Sequence, residues 1–183
     1  MKSFDTLKRG SHVFVICYSR EIELCNFQSF IKKGVDHNEM VIIFLEDCSK
    51  DKTYDTVKRS AKFLNDEILK KKGSSIIFKP TEEWYHPDKC LNAEIFLKKW
   101  EILIANAIKN GKEGIRIFVE TNKFLRERLD NALINYDKIL EDLFDFPITS
   151  MYVYKNKDLE TMTPQQIAIL NSNRGYHLNE LVV

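Results

Sequence analysis

The chain has 183 residues, 44% hydrophobic and 30% charged, with a formal net charge of +1. That is the length and composition of one soluble globular domain with a sizeable core. The balanced charge and the absence of a basic stripe interleaved with aromatics argue against nucleic-acid binding by this chain alone. No apolar run approaches the length of a membrane span, and residues 1–10 lack the features of a signal peptide.

The run from His12 to Tyr18 is short, apolar and rich in β-branched residues, which predicts a buried central strand. Residues 20–35 read as a helix with Leu24, Phe27, Phe30 and Ile31 on one side and Gly34 near its end. Met40 to Leu45 is a second strand, apolar on both faces. Residues 53–72 carry a helical stripe of Val57, Ala61, Leu64 and Ile68, stopped by Gly73. Residues 75–78 form a third strand, ended by Pro80. A polar loop follows over 81–87, holding Trp84 and Tyr85. Residues 88–110 make a very apolar helix, and Ile115 to Glu120 a fourth strand. An amphipathic helix spans 124–144, and Ile148 to Tyr154 is a fifth strand. Thr163 and Pro164 open a short helix that Gly175 ends, and residues 176–181 form a last edge strand.

Strands alternating with helices predict an α/β fold, a mostly parallel sheet of five to six strands sandwiched by helices. The chain is expected to be a single domain over 1–183, with its core at about 10–181. This layout is that of a P-loop nucleotide-binding core, but the loop itself is missing. The first strand runs into Ser19 and Arg20 with no glycine between Gly10 and Gly34, so G-x-x-x-x-G-K-[ST] is not there to wrap a phosphate. No G-x-G-x-x-G follows a strand, and no G-x-S-x-G surrounds a serine.

In parallel sheets, ligands bind outside the carboxyl ends of the strands. That rule selects Cys17, Tyr18 and Ser19, then Glu46 and Asp47, then Glu82, Trp84 and Tyr85, then Glu120 and Thr121, then Tyr152 and Tyr154. The aromatics among them either line an apolar ligand pocket or pack the core. Arg116 and Glu120 share a face of their strand, because side chains alternate. A charged residue in so apolar a strand either serves a pocket or pairs with another element. Cys17 is either a thiolate at a strand end or an inert core thiol. His12 begins its strand, far from the pocket end, as a capping or surface residue. His86 and Cys90 have metal-ligand spacing, but no second pair accompanies them. The four cysteines include no C-x-x-C and suit a reducing compartment, so a cytoplasmic location is expected.

Several short segments together carry a family resemblance. They are Gly10-Ser11-His12 leading to Tyr18, Phe30-Ile31 with Gly34, and Asn38-Glu39-Met40-Val41. Gly114-Ile115-Arg116 running to Glu120, Asn135-Tyr136-Asp137, and the Tyr152 to Tyr154 segment complete the set. In this order and spacing the chain resembles the MEDS domain, a sensory domain of methanogen and methylotroph signalling proteins and of the dichloromethane-responsive repressor. Three departures are visible: no cysteine precedes Tyr152, Asp137 stands in place of a glutamate, and the interval from His12 to Tyr18 is one residue longer.

The resemblance implies a KaiC/RecA-like core that has lost its ATPase machinery. It implies a non-catalytic sensory role, in which a small organic ligand binds and the signal passes to a protein partner or a second copy of the chain. The expected ligand-binding residues are Tyr18, Ser19, Tyr85, Arg116, Glu120 and Tyr152, with no cofactor, metal, nucleic acid or membrane. A KaiC-like assembly module, or a nucleotide-binding enzyme with a non-standard site and Glu120 as base, are the alternatives. No DNA-binding extension is visible, so the chain reads as a stand-alone domain.

Overall fold

A computed structural model describes residues 7–45, 76–85, 93–121, 124, 135, 145–160, 162–165, 167–168 and 176–179. Six strands form one sheet: β1 (His12–Cys17), β2 (Met40–Leu45), β3 (Ile76–Pro80), β4 (Ile115–Glu120), β5 (Ile148–Lys155) and β6 (Tyr176–Asn179). Their order across the sheet is β3-β2-β4-β5-β1-β6, and every described pairing is parallel. Helix α1 (Arg20–Asp36) follows β1, α2 (Thr81–Tyr85) follows β3, α3 (Ala93–Lys109) leads towards β4, and α4 (Asn156–Leu159) follows β5.

The strands form because their apolar, largely β-branched runs can be covered on both sides. Val13, Val15, Cys17, Val41, Ile43, Phe118, Met151 and Val153 pack under Phe27, Phe30 and Ile31 of α1. The alternate residues, among them Phe14, Ile42, Phe44, Ile117, Tyr152 and Tyr154, pack under Phe96, Trp100, Leu103 and Ala107 of α3. The result is the expected α/β architecture, a parallel sheet with helices on both faces. The helix expected over 53–72, most of that over 124–144, much of that from Thr163 onward and the strand-end residues Glu46 and Asp47 lie outside the described residues.

Two local expectations are corrected. Residues 81–85 are a helical turn rather than a polar loop, because burying Trp84 and Tyr85 against Phe44 draws the segment onto the sheet. The helix after β1 runs to Asp36 with Gly34 near its end, as expected, and closes at Asn38, which takes the left-handed conformation at φ 56°. The Asn38 N–H reaches the Val35 carbonyl at 3.0 Å and the Glu39 N–H reaches that of Gly34 at 2.8 Å, a Schellman closure. Finally, His12 is no surface residue: it is buried, with Nδ1 2.7 Å from Ser150 Oγ.

Candidate functional site

The strand order creates one crevice of special geometry. β1 and β5 are neighbours, yet β1 leads to β2 on one side of the pair and β5 leads to β6 on the other. Their onward helices diverge too. α1 covers the face of Val13 and Val15, whereas Leu159 of α4 joins the cluster on the opposite face. Where neighbouring strands send their connections apart, the carboxyl ends leave an opening that parallel sheets use for ligands.

A cavity of about 380 Å³ lies at this opening. Cys17, Tyr18, Ser19 and Glu23 line it from the β1–α1 side, and Lys155, Asn156 and Lys157 from the β5–α4 side. The register places Cys17 directly beside Lys155. Its size falls in the range of small-molecule sites. Tyr18 is 54% exposed, so its ring stands at the rim. Ser19 precedes α1, and its carbonyl accepts the Glu23 N–H at 3.2 Å, closing the first turn. The positive end of the α1 dipole therefore borders the cavity.

Glu23 is the least expected member. It lies on the buried stripe of α1, four residues before Phe27, and is only 5% exposed. A carboxylate on an apolar stripe was the signal that could have marked it from sequence. Lys155 and Lys157 bring two ammonium groups opposite it. The Cys17 thiol is pushed up to about 12 by burial, and by the Glu23 charge; Asn26 and Lys155 pull weakly the other way. Cys17 is therefore a neutral thiol near pH 7, not a thiolate. The site offers a carboxylate, two ammoniums, an amide, a hydroxyl and an aromatic rim. That is binding chemistry for a small polar or amphiphilic molecule.

The six residues expected to share a site do not converge. Tyr18 and Ser19 line the cavity. Tyr85 and Tyr152 are buried in the aromatic core on the α3 face. Arg116 and Glu120 alternate with the α3-face residues of β4 and so face α1; both are buried. Arg116 sits near the amino end of β4, where its Nε lies 2.5 Å from Glu39 Oε2 with neither side chain exposed. Its guanidinium also stacks 4.7 Å from the Phe30 ring centroid. Those are the contacts of a structural ion pair, the second of the two readings open for Arg116. His86 and Cys90 lie outside the described residues, among which no group of three His, Cys, Asp or Glu could hold a metal. No helix among the described residues is long and apolar enough to cross a membrane.

Comparison with known proteins bears on the family and the fold. The family model for MEDS, the methanogen/methylotroph, DcmR sensory domain, matches residues 11–170. The crystal structure of a KaiC-like protein from the hyperthermophilic archaeon Pyrococcus horikoshii OT3 resembles the chain with a TM-score of 0.50 and 13% identity. That likeness covers 80% of this chain and 62% of the other, so the chain spans less than two thirds of that protein. At such identity the likeness establishes a KaiC-like fold and nothing more. No curated protein gave a significant match.

Proposed function

The chain belongs to the MEDS family, and from that premise we propose that it is a non-catalytic sensory domain. The cavity between the ends of β1 and β5 receives a small organic ligand, and the bound state is relayed to a protein partner. The observation that carries this reading is the cavity's place at the divergence of α1 and α4. A ligand held by Glu23 on one wall and Lys155 or Lys157 on the other ties together two elements from opposite faces of the sheet. It biases the domain by its differential affinity for the two arrangements, with no reaction needed.

Phosphoryl transfer is disfavoured on this reading. The turn from β1 into α1 has no glycine to let backbone amides wrap a triphosphate, and no lysine in it to neutralise one. Thermal melting against a panel of small organic acids, amines and alcohols, and separately against Mg-ATP, tests the proposal. Stabilisation by an organic compound that Lys155→Ala and Tyr18→Ala both abolish is the expected result. Stabilisation by Mg-ATP with hydrolysis would move the protein to the enzymes.

A second reading, assembly with another copy of the chain, rests on the outward face of α3. Ile95, Ile102 and Ile108 are 42%, 55% and 57% exposed there. Pairing of two such helices would bury these side chains. Light scattering at two concentrations separates the readings.

A further inference from the structure

The only two tryptophans of the chain meet in one place. Trp84 of α2 and Trp100 of α3 lie edge to face with ring centroids 5.5 Å apart. Phe44 of β2 packs against both, at 5.5 Å and 6.3 Å. Neither indole Nε1 has a hydrogen-bond acceptor among the described residues, although both are buried. Thr81 Oγ1, one helical turn before Trp84, is buried and unpartnered as well. Trp100 and Thr81 are closed off from solvent, and Trp84 keeps 8% exposure, which makes it the ring nearest to water.

Native interiors leave few polar hydrogens unpaired, and each that remains calls for an occupant such as water, an ion or a ligand. An indole N–H can only donate. Two indole donors in one aromatic cluster, with the Thr81 hydroxyl one helical turn before Trp84, therefore call for an acceptor. The surrounding charge gives its sign. Lys79 Nζ and Lys99 Nζ lie 5.7 Å and 5.4 Å from the Trp84 ring centroid, so the cluster is flanked by two cations. Neutral donors beside ammonium groups suit a carboxylate, while the aromatic walls suit a short apolar tail.

We propose that Thr81, Trp84 and Trp100 form a second binding site, for a small organic monocarboxylate. It lies at the carboxyl ends of β2 and β3, on the far half of the sheet edge from the cavity between β1 and β5. None of its three donors lines that cavity. The site stands independently of the sensory reading: it can fail while the cavity binds, and the reverse.

The two indole N–H groups give the test its own reporters. Each is assigned in ¹⁵N-labelled full-length protein by Trp84→Phe and Trp100→Phe, which keep a ring and remove the donor. Sodium acetate and sodium propionate are titrated at ionic strength matched with sodium chloride. Both indole proton signals move downfield and saturate with one shared dissociation constant, tighter for propionate. Each Trp→Phe variant weakens binding about fivefold, the loss expected for one hydrogen bond. If a tryptophan variant does not fold, Thr81→Val carries the same expectation with both reporters intact. Indole signals that stay in place, that move equally with chloride, or that respond unchanged in Thr81→Val overturn the proposal.

Discussion

Arg116 and Glu39, 77 positions apart in sequence, meet inside the domain with neither side chain exposed to water. The Arg116 Nε reaches Glu39 Oε2, and Nη1 reaches the Phe30 carbonyl at 3.4 Å. The pair ties the amino end of β4 to the turn between α1 and β2, and leaves Arg116 Nη2 and Glu39 Oε1 unsatisfied. It holds the half of the sheet away from the cavity.

Breaking that pair from one side strands a buried charge. Arg116→Met should therefore cost about 3–5 kcal/mol, whereas Arg116→Met with Glu39→Met should recover most of the loss. Urea denaturation of the three proteins checks this. A double variant no more stable than Arg116→Met would mean that the ion pair itself, not the uncompensated Glu39, holds this region.

Two glycines of similar appearance in the sequence should respond differently to alanine. A Cβ on Gly34 would meet Arg116 Cδ at 2.7 Å and Val41 Cγ2 at 2.8 Å, and Arg116 is pinned by Glu39. Gly34→Ala should cost about 1–3 kcal/mol through overpacking, outweighing its gain of about 1 kcal/mol in helix propensity. Gly111 has open space around it but a φ of 65°. Its N–H bonds to the Ile108 carbonyl, and the Lys112 N–H to that of Ala107, closing α3. Gly111→Ala should therefore cost about 1–2 kcal/mol from backbone strain alone. Crystal structures would show Arg116 displaced in the first variant and no side chain displaced in the second.

The layered fold was legible because its strands are continuous apolar runs. Met40 to Leu45 and Ile115 to Glu120 were placed to the residue, since such runs have few alternatives between polar turns. The site was legible only in outline. The strand-end rule located Cys17, Tyr18 and Ser19, but it did not select Lys155 and Lys157, which the pairing of β5 with β1 brings beside them. Tyr85, Tyr152 and Arg116 were placed at a pocket by their strand positions. What strand position omits is which face of the sheet a side chain takes and what packs on it. Trp84 and Tyr85 read as loop because Thr81, Glu82 and Glu83 are polar, and the force that winds them, burial against Phe44, is not local.

Asn38 joins two helix ends through its side chain. Nδ2 donates to the Gly111 carbonyl at 2.9 Å, and Oδ1 accepts from Lys112 Nζ at 3.2 Å. Asn38→Gly keeps the left-handed backbone and loses only these exposed bonds, so it should change stability by less than about 1 kcal/mol. Asn38→Ala loses the bonds and strains the backbone, and should cost about 1–2 kcal/mol more than Asn38→Gly. Chemical denaturation of the two variants side by side gives the difference.

The Cys17 thiol supplies the pH prediction. Its value rises from 9.0 to about 12 in the folded chain, chiefly because burial disfavours the thiolate. Between those values the unfolded chain has lost the proton that the folded chain keeps. Folding therefore loses stability as pH rises through that window, and below pH 9 this group contributes no pH dependence. Cys17→Ser, whose hydroxyl does not titrate there, should flatten the decline in a comparison of urea midpoints from pH 8 to pH 10.5. The same protonation makes the native thiol slow to alkylate. In a chain with Cys25, Cys48 and Cys90 replaced by serine, iodoacetamide at pH 8 should modify native Cys17 at least about a hundredfold more slowly than the urea-unfolded chain. Equal rates in the native and unfolded chains would place Cys17 in a different environment and return a thiolate to the chemistry of the cavity.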